Sequence, residues 1–216
     1  RTIMHNSRRL DFALLLDLLL SEIEQGSMDS FLEQIHYVMV DEYQDTNPIQ
    51  EEIFFHLARN SNLCVVGDDD QSLYRFRGAS VECMVSFPSE CLARFKTGHT
   101  GINLIENYRS HPSIVHFYEE YMNSQSSINA TSYRLRPGGV PALIPKGAAL
   151  SSAPAVILAQ GADAIEADNA LIKMVIGLKN IVDDWSQVAI LSPGVNEDRV
   201  HGVGYLAGQL ENNGIP

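Results

Sequence analysis

Cysteine is scarce in this sequence and occurs in no metal-binding or pairing pattern. There are three cysteines, Cys64, Cys83 and Cys91, and no two have CxxC spacing. An odd number without such spacing argues against a disulfide framework or a zinc site. A reducing, intracellular setting therefore fits best, and Cys64, in the apolar run Leu63 to Val66, is interpreted as a small buried hydrophobic residue.

The sequence also lacks a long apolar run and a secretory signal. No stretch approaches the roughly 18 apolar residues of a membrane-spanning helix. The richest stretch, Phe12 to Leu20, is interrupted by Asp17 and is interpreted as an amphipathic helix. The residues Arg1 to His5 do not have the charged-then-apolar layout of a signal peptide. We therefore expect no membrane partner.

Basic residues are in the minority, with 15 Lys and Arg against 27 Asp and Glu and a net charge of −12. This balance argues against the whole surface being a nucleic-acid platform, because binding phosphates requires Lys and Arg. It leaves room for a local basic groove. Several basic residues fall within one third of the chain: Arg75, Arg77, Arg94, Lys96 and Arg109.

Short apolar runs alternate with helical patterns in the first half of the chain. Strands are predicted at Tyr37 to Val40, Leu63 to Val66 and Ile102 to Ile105. This alternation predicts an α/β fold with a parallel sheet, in which ligands bind beyond the carboxyl ends of the strands. The predicted helices cover Arg8 to Gln25, Ser30 to Gln34, Asn47 (as N-cap) to Ala58, and Ser113 to Met122.

The composition changes to Ser, Pro, Gly and Asn from Ser124 to Ala153, which predicts a loop or linker. Beyond it the pattern predicts a second, incomplete α/β half. Its predicted strands are Ala155 to Ala159 and Val188 to Leu191, and its predicted helices are Ala164 to Asn180 and Glu197 to Asn212, the last ending at Gly214.

The strongest chemical signal is the segment Val38 to Asn47, in which an apolar strand leads directly into Asp41 and Glu42. This is the Walker B arrangement of nucleotide hydrolases, in which the first carboxylate binds Mg²⁺ and the second positions and deprotonates the attacking water. Two acids at a strand end are also common on ordinary surfaces. The attached Gln44, Asp45 and Asn47 favour the catalytic interpretation.

A second signal runs from Val66 to Ala79. Three consecutive aspartates, Asp68 to Asp70, must be solvated or lie near a cation, because they repel one another. They could form a solvated turn or the metal site of a phosphatase or nuclease. Gln71 and the alternation of Tyr74 and Phe76 with Arg75 and Arg77 are unlike either. Stacking faces beside phosphate-binding cations are typical of a single-strand nucleic-acid platform, although core packing explains Tyr74 about equally well.

The third signal, Asn107 to Ser110, follows the predicted strand Ile102 to Ile105. An arginine at a strand end can reach a γ-phosphate and stabilise charge in the transition state, and a neighbouring tyrosine can stack on a purine. In isolation this arginine would be an ordinary surface residue.

Together these segments, in this order, resemble motifs II, III and IV of the UvrD/Rep/PcrA family of superfamily 1 DNA helicases. Motif II resembles Asp41 to Asn47, motif III Gly67 to Ala79, and motif IV Asn107 to Ser110. The resemblance is dense from Asp11 to Pro112. The later segments Val188 to Leu191 and Asn213 to Pro216 resemble the start of a second RecA-like domain.

This resemblance implies ATP and Mg²⁺ as cofactors and a RecA-like, P-loop NTPase fold with a parallel sheet and flanking helices. It implies that residues 1–123 are the C-terminal part of a first RecA-like ATPase domain, 124–153 a linker, and 154–216 the N-terminal part of a second. The DNA partner would be a single-strand/duplex junction, with other repair or replication proteins as further partners. Travel would be 3′ to 5′, and the location would be cytoplasmic, or nucleoid-associated in a bacterium.

The resemblance also implies a role for each matching residue. Asp41 would help to bind Mg²⁺, and Glu42 would be the general base. Gln71 would contact the γ-phosphate, Arg109 would be the arginine finger, and Tyr108 would stack on adenine. The implied DNA-binding residues are Tyr74, Phe76 and Arg77, with Phe76 standing where the family usually has tryptophan.

No GxxxxGK[ST] phosphate-binding loop occurs in the 216 residues. We therefore expect that this chain alone neither hydrolyses ATP at a useful rate nor unwinds DNA. Two alternatives remain at this stage. One is a non-catalytic, helicase-like interaction module, and the other is a metal-dependent phosphohydrolase or nuclease that uses the aspartates.

Overall fold

A computed structural model describes residues 11–124, 134–135, 142–147, 155–192 and 203–216. The chain divides into two units, Arg1–Ser152 and Ala153–Pro216, each with its own hydrophobic core. The strands and helices are numbered here in chain order.

Three helices form the core of the first unit. Helix α1, Phe12–Glu24, begins after Asp11, whose side chain accepts a hydrogen bond from the Leu14 amide at 2.7 Å. The predicted start at Arg8 lies outside the described residues. Helix α2 is Asp29–Leu32 and helix α3 is Pro48–Leu57. One residue from each helix, Ile23, Leu32 and Ile53, is buried in the shared core.

Helix α3 connects two parallel strands, β1 (Tyr37–Val40) and β2 (Asn62–Val65). Strand β1 has the predicted bounds, and β2 begins and ends one residue earlier than predicted. The predicted N-cap at Asn47 is confirmed, and it forms a capping box with Gln50. The Asn47 side chain accepts from the Gln50 amide at 2.9 Å, and the Gln50 side chain accepts from the Asn47 amide at 3.0 Å.

The interpretation of Cys64 as a buried residue is wrong, because the Cys64 side chain is exposed. Side chains alternate between the two faces of a strand, and Cys64 pairs in register with Met39, which is 80% exposed. The opposite face, with Val38 and Val40, is partly buried. The β1–β2 pair is therefore packed on one face only within the described residues.

Helix α4, Val81–Phe95, was not predicted, although it supplies an aromatic contact surface for α3. Phe87 stacks on Phe55 at 5.9 Å between ring centroids and meets the edge of the buried Tyr43 ring at 5.3 Å. Burial, with the charge of Glu51 nearby, raises the pKa of Cys83 to about 12, so this thiol remains protonated. Pro88 inside the helix obscures its pattern in the sequence.

The third predicted strand is wrong: residues 102–105 are not a strand, and Ile102 and Leu104 are about four-fifths exposed, 80% and 81%. The strand lies just beyond them. Strand β3, Glu106–Asn107, pairs in parallel with β4, Ile144–Pro145, in a second two-stranded sheet. Helix α5, Pro112–Ser124, follows β3. Strand β4 also falls within the predicted linker.

The second unit contains helices α6, Ala164–Gly177, and α7, Val203–Asn212. The helix predicted from Ala164 is confirmed and continues as a 3₁₀ turn to Asn180. The start predicted for the last helix at Glu197 lies outside the described residues. Gly214 follows this helix with a positive φ of 68°, as a helix-ending glycine does. Residues 155–159 and 188–191, which were predicted as strands, are not strands, and neither segment pairs with another part of the chain that the structure describes.

Within the described residues, the helices are all too short or too polar to cross a membrane.

The capping box yields a stability prediction. Replacing Asn47 by Ala leaves the Gln50 amide without its partner, and we expect a loss of about 1 kcal/mol in the free energy of unfolding. Urea unfolding of the chain followed by circular dichroism would measure it. The matched control is Asn60→Ala, at an exposed position beyond the end of α3. Equal urea midpoints for the two variants would contradict the assigned cap.

Candidate nucleotide site

The carboxyl end of β1 presents two acidic side chains in succession. Asp41 and Glu42 are both exposed, and the Asp41 carboxylate accepts a hydrogen bond from the Glu42 amide at 2.9 Å. Glu42 has a left-handed backbone with a φ of 51°, which is uncommon for a residue with a side chain. This turn ends the strand abruptly and leaves both carboxylates at its tip.

Gln44 joins the ends of the two strands. Its side chain is buried, with 1% of the residue exposed. Its Nε2 donates to Glu42 Oε2 at 2.6 Å, and its Oε1 accepts from the Asp68 amide, just after β2, at 3.0 Å. One amide side chain thus orients the predicted general base and anchors the turn that follows the neighbouring strand.

Gly67 permits this close approach. A Cβ atom at position 67 would lie 2.6 Å from Gln44 Oε1 and 3.1 Å from the Tyr43 amide nitrogen. Nearby, the Tyr43 amide donates to the Val66 carbonyl at 2.9 Å, so the two chain segments remain paired beyond the strands. Any larger residue at position 67 would displace Gln44 or separate the strand ends.

Asp45 is the third carboxylate of this segment. Its Oδ1 atom is buried and has no hydrogen-bond partner among the described residues. Burial and then the negative charge of Glu42 raise the pKa of the Asp45 carboxyl. A buried carboxylate oxygen without a partner, beside two exposed carboxylates, is suited to a nearby cation or its water ligands.

The oxygen donors at this strand end fit Mg²⁺. Magnesium prefers hard oxygen ligands and is usually bound by one or two carboxylates, with water and phosphate completing its shell. Asp41 is exposed in the right position to be such a ligand. Within the described residues no group of three or more His, Cys, Asp or Glu side chains is arranged as a metal cage. Magnesium bound together with a nucleotide does not require one.

The three aspartates after β2 have three different sets of partners. Asp68 accepts hydrogen bonds from the Asp70 amide at 3.2 Å and from Gln71 Nε2 at 2.9 Å. Asp69 accepts from the Leu135 amide, and Asp70 forms an ion pair with Arg134 at 2.6 Å. The aspartates were expected to be solvated or to lie near a cation, and for Asp70 that cation is the Arg134 guanidinium. This pairing favours a structural role for Asp69 and Asp70 over a nuclease metal site.

The segment Tyr74–Arg77 forms a short 3₁₀ turn with its aromatic side chains at the surface. Phe76 is 77% exposed and Tyr74 is 42% exposed. The Arg77 guanidinium lies over both rings, at 5.1 Å from the centroid of Tyr74 and 5.5 Å from that of Phe76. Exposed stacking faces beside a cation suit unpaired bases and phosphates, and core packing does not account for Phe76.

The motif around Arg109 lies at the end of β3. Asn107 Oδ1 accepts from the amides of Arg109 at 3.1 Å and Ser110 at 2.9 Å, which fixes the turn. Gly147 packs so closely against this turn that a Cβ there would clash with the Ser110 carbonyl. Tyr108 and Arg109 are exposed. The Tyr108 hydroxyl donates to Glu106, which raises the pKa of Tyr108 and lowers that of Glu106.

The structure connects two of the three predicted segments directly. Glu42, Gln44, Asp68 and Gln71 form one continuous series of hydrogen bonds across the ends of β1 and β2. Within the described residues the Arg109 amide donates locally to Asn107, and the strand that precedes Arg109 belongs to the second sheet. Its segment reaches Gln71 indirectly, because Tyr118 on α5 donates to Asp70 at 2.6 Å.

Gln44, Asp45 and Arg134 were not predicted as site residues. Gln44 and Asp45 stand inside the quoted motif, so their proximity to Glu42 along the chain was the available signal. Arg134 lies in a segment of loop-like composition, 64 residues from Asp70. No local pattern in the sequence indicates that contact.

Comparison with known proteins identifies one protein family. Residues 2–91 match the family model of the UvrD/REP helicase N-terminal domain. The ATP-dependent DNA helicase PcrA of Bacillus subtilis is 39% identical over 101 residues, which is 46% of this chain and 13% of that protein. The protein of the same name from Staphylococcus epidermidis is 40% identical over 101 residues, with the same shares.

These matches concern only a part of each relative, since the chain spans 13% of the length of the PcrA helicases. Residues 2–91 include the segments that resemble motifs II and III, whereas the segment that resembles motif IV lies beyond them. The resemblance to the UvrD/Rep/PcrA helicases is thereby confirmed, and residues 2–91 carry the match to the UvrD/REP helicase N-terminal domain.

Proposed function

We propose that the chain is part of an ATP-dependent DNA helicase or translocase that couples ATP hydrolysis to movement on single-stranded DNA. The observation that carries this proposal is the Gln44 bridge, which places Glu42 and the Gln71 turn at one edge of the β1–β2 pair. Relatives that share this segment are named ATP-dependent DNA helicases.

At the nucleotide, Asp41 would bind Mg²⁺ and Glu42 would position and deprotonate the attacking water. The ion, when bound, supplies positive charge to the phosphates. The hydrogen bond from Gln44 to Glu42 Oε2 fixes one carboxylate oxygen and so orients the other. Because Glu42 is exposed, its carboxylate can reach a water molecule at the strand tip.

Gln71 would contact the γ-phosphate and respond to its loss. It is exposed, and Asp68 restrains its side-chain nitrogen at 2.9 Å. The residues immediately after it, Ser72 and Leu73, lead into the aromatic turn Tyr74–Arg77. A displacement of Gln71 is therefore transmitted over a few residues to the proposed DNA platform.

Arg109 would stabilise transition-state charge, and Tyr108 would stack on adenine. Both side chains are exposed at the end of β3, in a turn fixed by Asn107. An arginine finger is effective when it meets the γ-phosphate in the closed state. We assign this pair to the nucleotide pocket together with Asp41, Glu42 and Gln71.

The proposed architecture is RecA-like. Its support is the parallel pairing of β1 with β2 around α3, with the polar residues at the carboxyl ends. We assign residues 1–123 to a first RecA-like domain, 124–153 to a linker and 154–216 to a second domain. By family resemblance we assign 3′–5′ travel on a single-strand/duplex junction, with a place in repair or replication.

The chain alone should be inactive as a motor. Its 216 residues contain no GxxxxGK[ST] loop to hold the β- and γ-phosphates. We expect the purified chain to show no ATPase activity above background, with or without single-stranded DNA, in a phosphate-release assay. Robust DNA-stimulated hydrolysis by this chain would contradict the prediction.

The general base can be tested in the full-length protein that contains this chain. Replacing Glu42 by Gln keeps the size and the Gln44 contact but removes the proton acceptor. We expect kcat for DNA-stimulated ATP hydrolysis to fall about 10²–10⁴-fold. The control is Glu24→Gln, at an exposed position near the end of α1. Equal ATPase activity of the Glu42→Gln and Glu24→Gln variants would contradict the role of Glu42. If the protein were a non-catalytic interaction module, the unmodified full-length protein would show no ATPase activity.

The DNA platform can be tested on the chain itself. Replacing Phe76 by Ala removes one stacking face, and we expect affinity for a labelled oligo-dT to fall by about 5- to 150-fold, the equivalent of one stacked base. Phe76→Trp should bind more tightly than the natural residue, because tryptophan has the larger face. Fluorescence anisotropy measures both. The control is Phe31→Ala, which removes a different exposed phenylalanine. Equal affinities for the two alanine variants would contradict the platform.

A further inference from the structure

The turn that carries Gln71 is held from behind by a buried ion pair. The side chains of Asp70 and Arg134 are almost fully buried, with exposed fractions of 0% and 1%. Arg134 Nε lies 2.6 Å from Asp70 Oδ1, and Arg134 Nη2 donates to Asp70 Oδ2 at 2.8 Å. One hydrogen bond and one close ion contact to the same carboxylate restrain its orientation as well as its position.

The pair is part of a contact between three chain segments. Tyr118 on α5 donates to Asp70 Oδ2 at 2.6 Å, and Arg134 Nη1 donates to Asn123 at 3.2 Å on the same helix. The amide of Leu135 donates to Asp69. The turn Asp69–Gln71, helix α5 and residues 134–135 are therefore connected through charged or polar groups.

These connections bear on the proposed catalysis because the connected segments adjoin Gln71 and Arg109. Asp70 immediately precedes Gln71, and α5 begins three residues after Arg109, at Pro112. A buried ion pair is a poor source of stability compared with apolar packing, since both charges lose their hydration. Its advantage is directional, because the planar guanidinium donates to the carboxylate in a restricted geometry.

We propose that Arg134 is a positioning residue that orients Gln71 through Asp70 and couples this turn to the helix that follows Arg109. The proposal rests on the proposed function, in which Gln71 and Arg109 act on the same γ-phosphate. Arg134 itself contacts neither substrate. It fixes the position of the Gln71 turn relative to α5.

The test is the DNA-stimulated ATPase of the full-length protein that contains this chain, with Arg134→Met and Arg134→Lys. For Arg134→Met we expect kcat to fall about tenfold or more, as misplacement by a distant mutation does, while KM for ATP stays within about twofold. Arg134→Lys keeps the charge and should recover part of the lost kcat. Arg59→Met is the control, because it breaks an exposed ion pair that joins Asp29 on α2 to the residue two positions after α3.

A second variant separates positioning from loss of folding. Arg134→Met leaves Asp70 buried without its partner and can unfold the chain, whereas the double variant Asp70→Asn with Arg134→Met removes both charges. The double variant, folded by circular dichroism, should still have the lowered kcat. Hydrogen–deuterium exchange of the chain should be faster at residues 68–72 in this variant and unchanged in Arg59→Met.

Each outcome decides the proposal. A folded variant lacking Arg134 with unmodified kcat overturns it, as does a loss of kcat accompanied by faster exchange throughout the unit. A lowered kcat with faster exchange confined to the turn and α5 supports it. Failure of the proposed function looks different, because the unmodified full-length protein would then show no DNA-stimulated ATPase activity at all.

Discussion

The Gln44 side chain is the contact on which the candidate site depends. Its two polar atoms hold the Glu42 carboxylate and the Asp68 amide, which belong to the ends of two different strands. Neither contact survives a simple replacement. A glutamate would repel Glu42, and a leucine would leave a buried amide without an acceptor. Parallel pairing of β1 with β2 brings the strand ends together, and Gly67 leaves the room that the amide needs.

The acidic turn after β2 shows how an acid-rich chain accommodates clustered carboxylates. Asp68 caps its own turn, Asp69 accepts a backbone amide, and Asp70 is neutralised by Arg134. Burial raises the pKa of Asp69, and the hydrogen bond from Leu135 offsets part of that effect. Each charge is thus stabilised by a different group. The turn has a defined geometry because its acids do not compete for one partner.

Elements with a complete local signal were predictable from the sequence, and elements defined by long-range pairing were not. Strand β1 and the Asn47 cap were predicted correctly, because an apolar run and a capping box are local features. Three of the four residues 102–105 are apolar, yet a strand requires a partner, and β4 pairs instead with Glu106 and Asn107. Cys64 was misplaced because an apolar run does not reveal whether both faces of a strand are covered. Arg134 was not predicted, because it is 64 residues from Asp70 along the chain and contacts it only in the folded structure.

The proposed site residues fall into two physical classes. This division explains why the motif residues could be predicted from the sequence alone. Asp41, Glu42, Gln71, Phe76 and Arg109 are exposed, as groups that meet a nucleotide or DNA must be. An exposed phenylalanine contributes little to folding, so packing does not account for Phe76. Gln44 and Asp70 are buried polar groups that orient the exposed ones, and their partners are defined by the fold. The residues proposed to contact nucleotide or DNA are therefore recognisable by type and order, whereas the residues that orient them become recognisable only by contact.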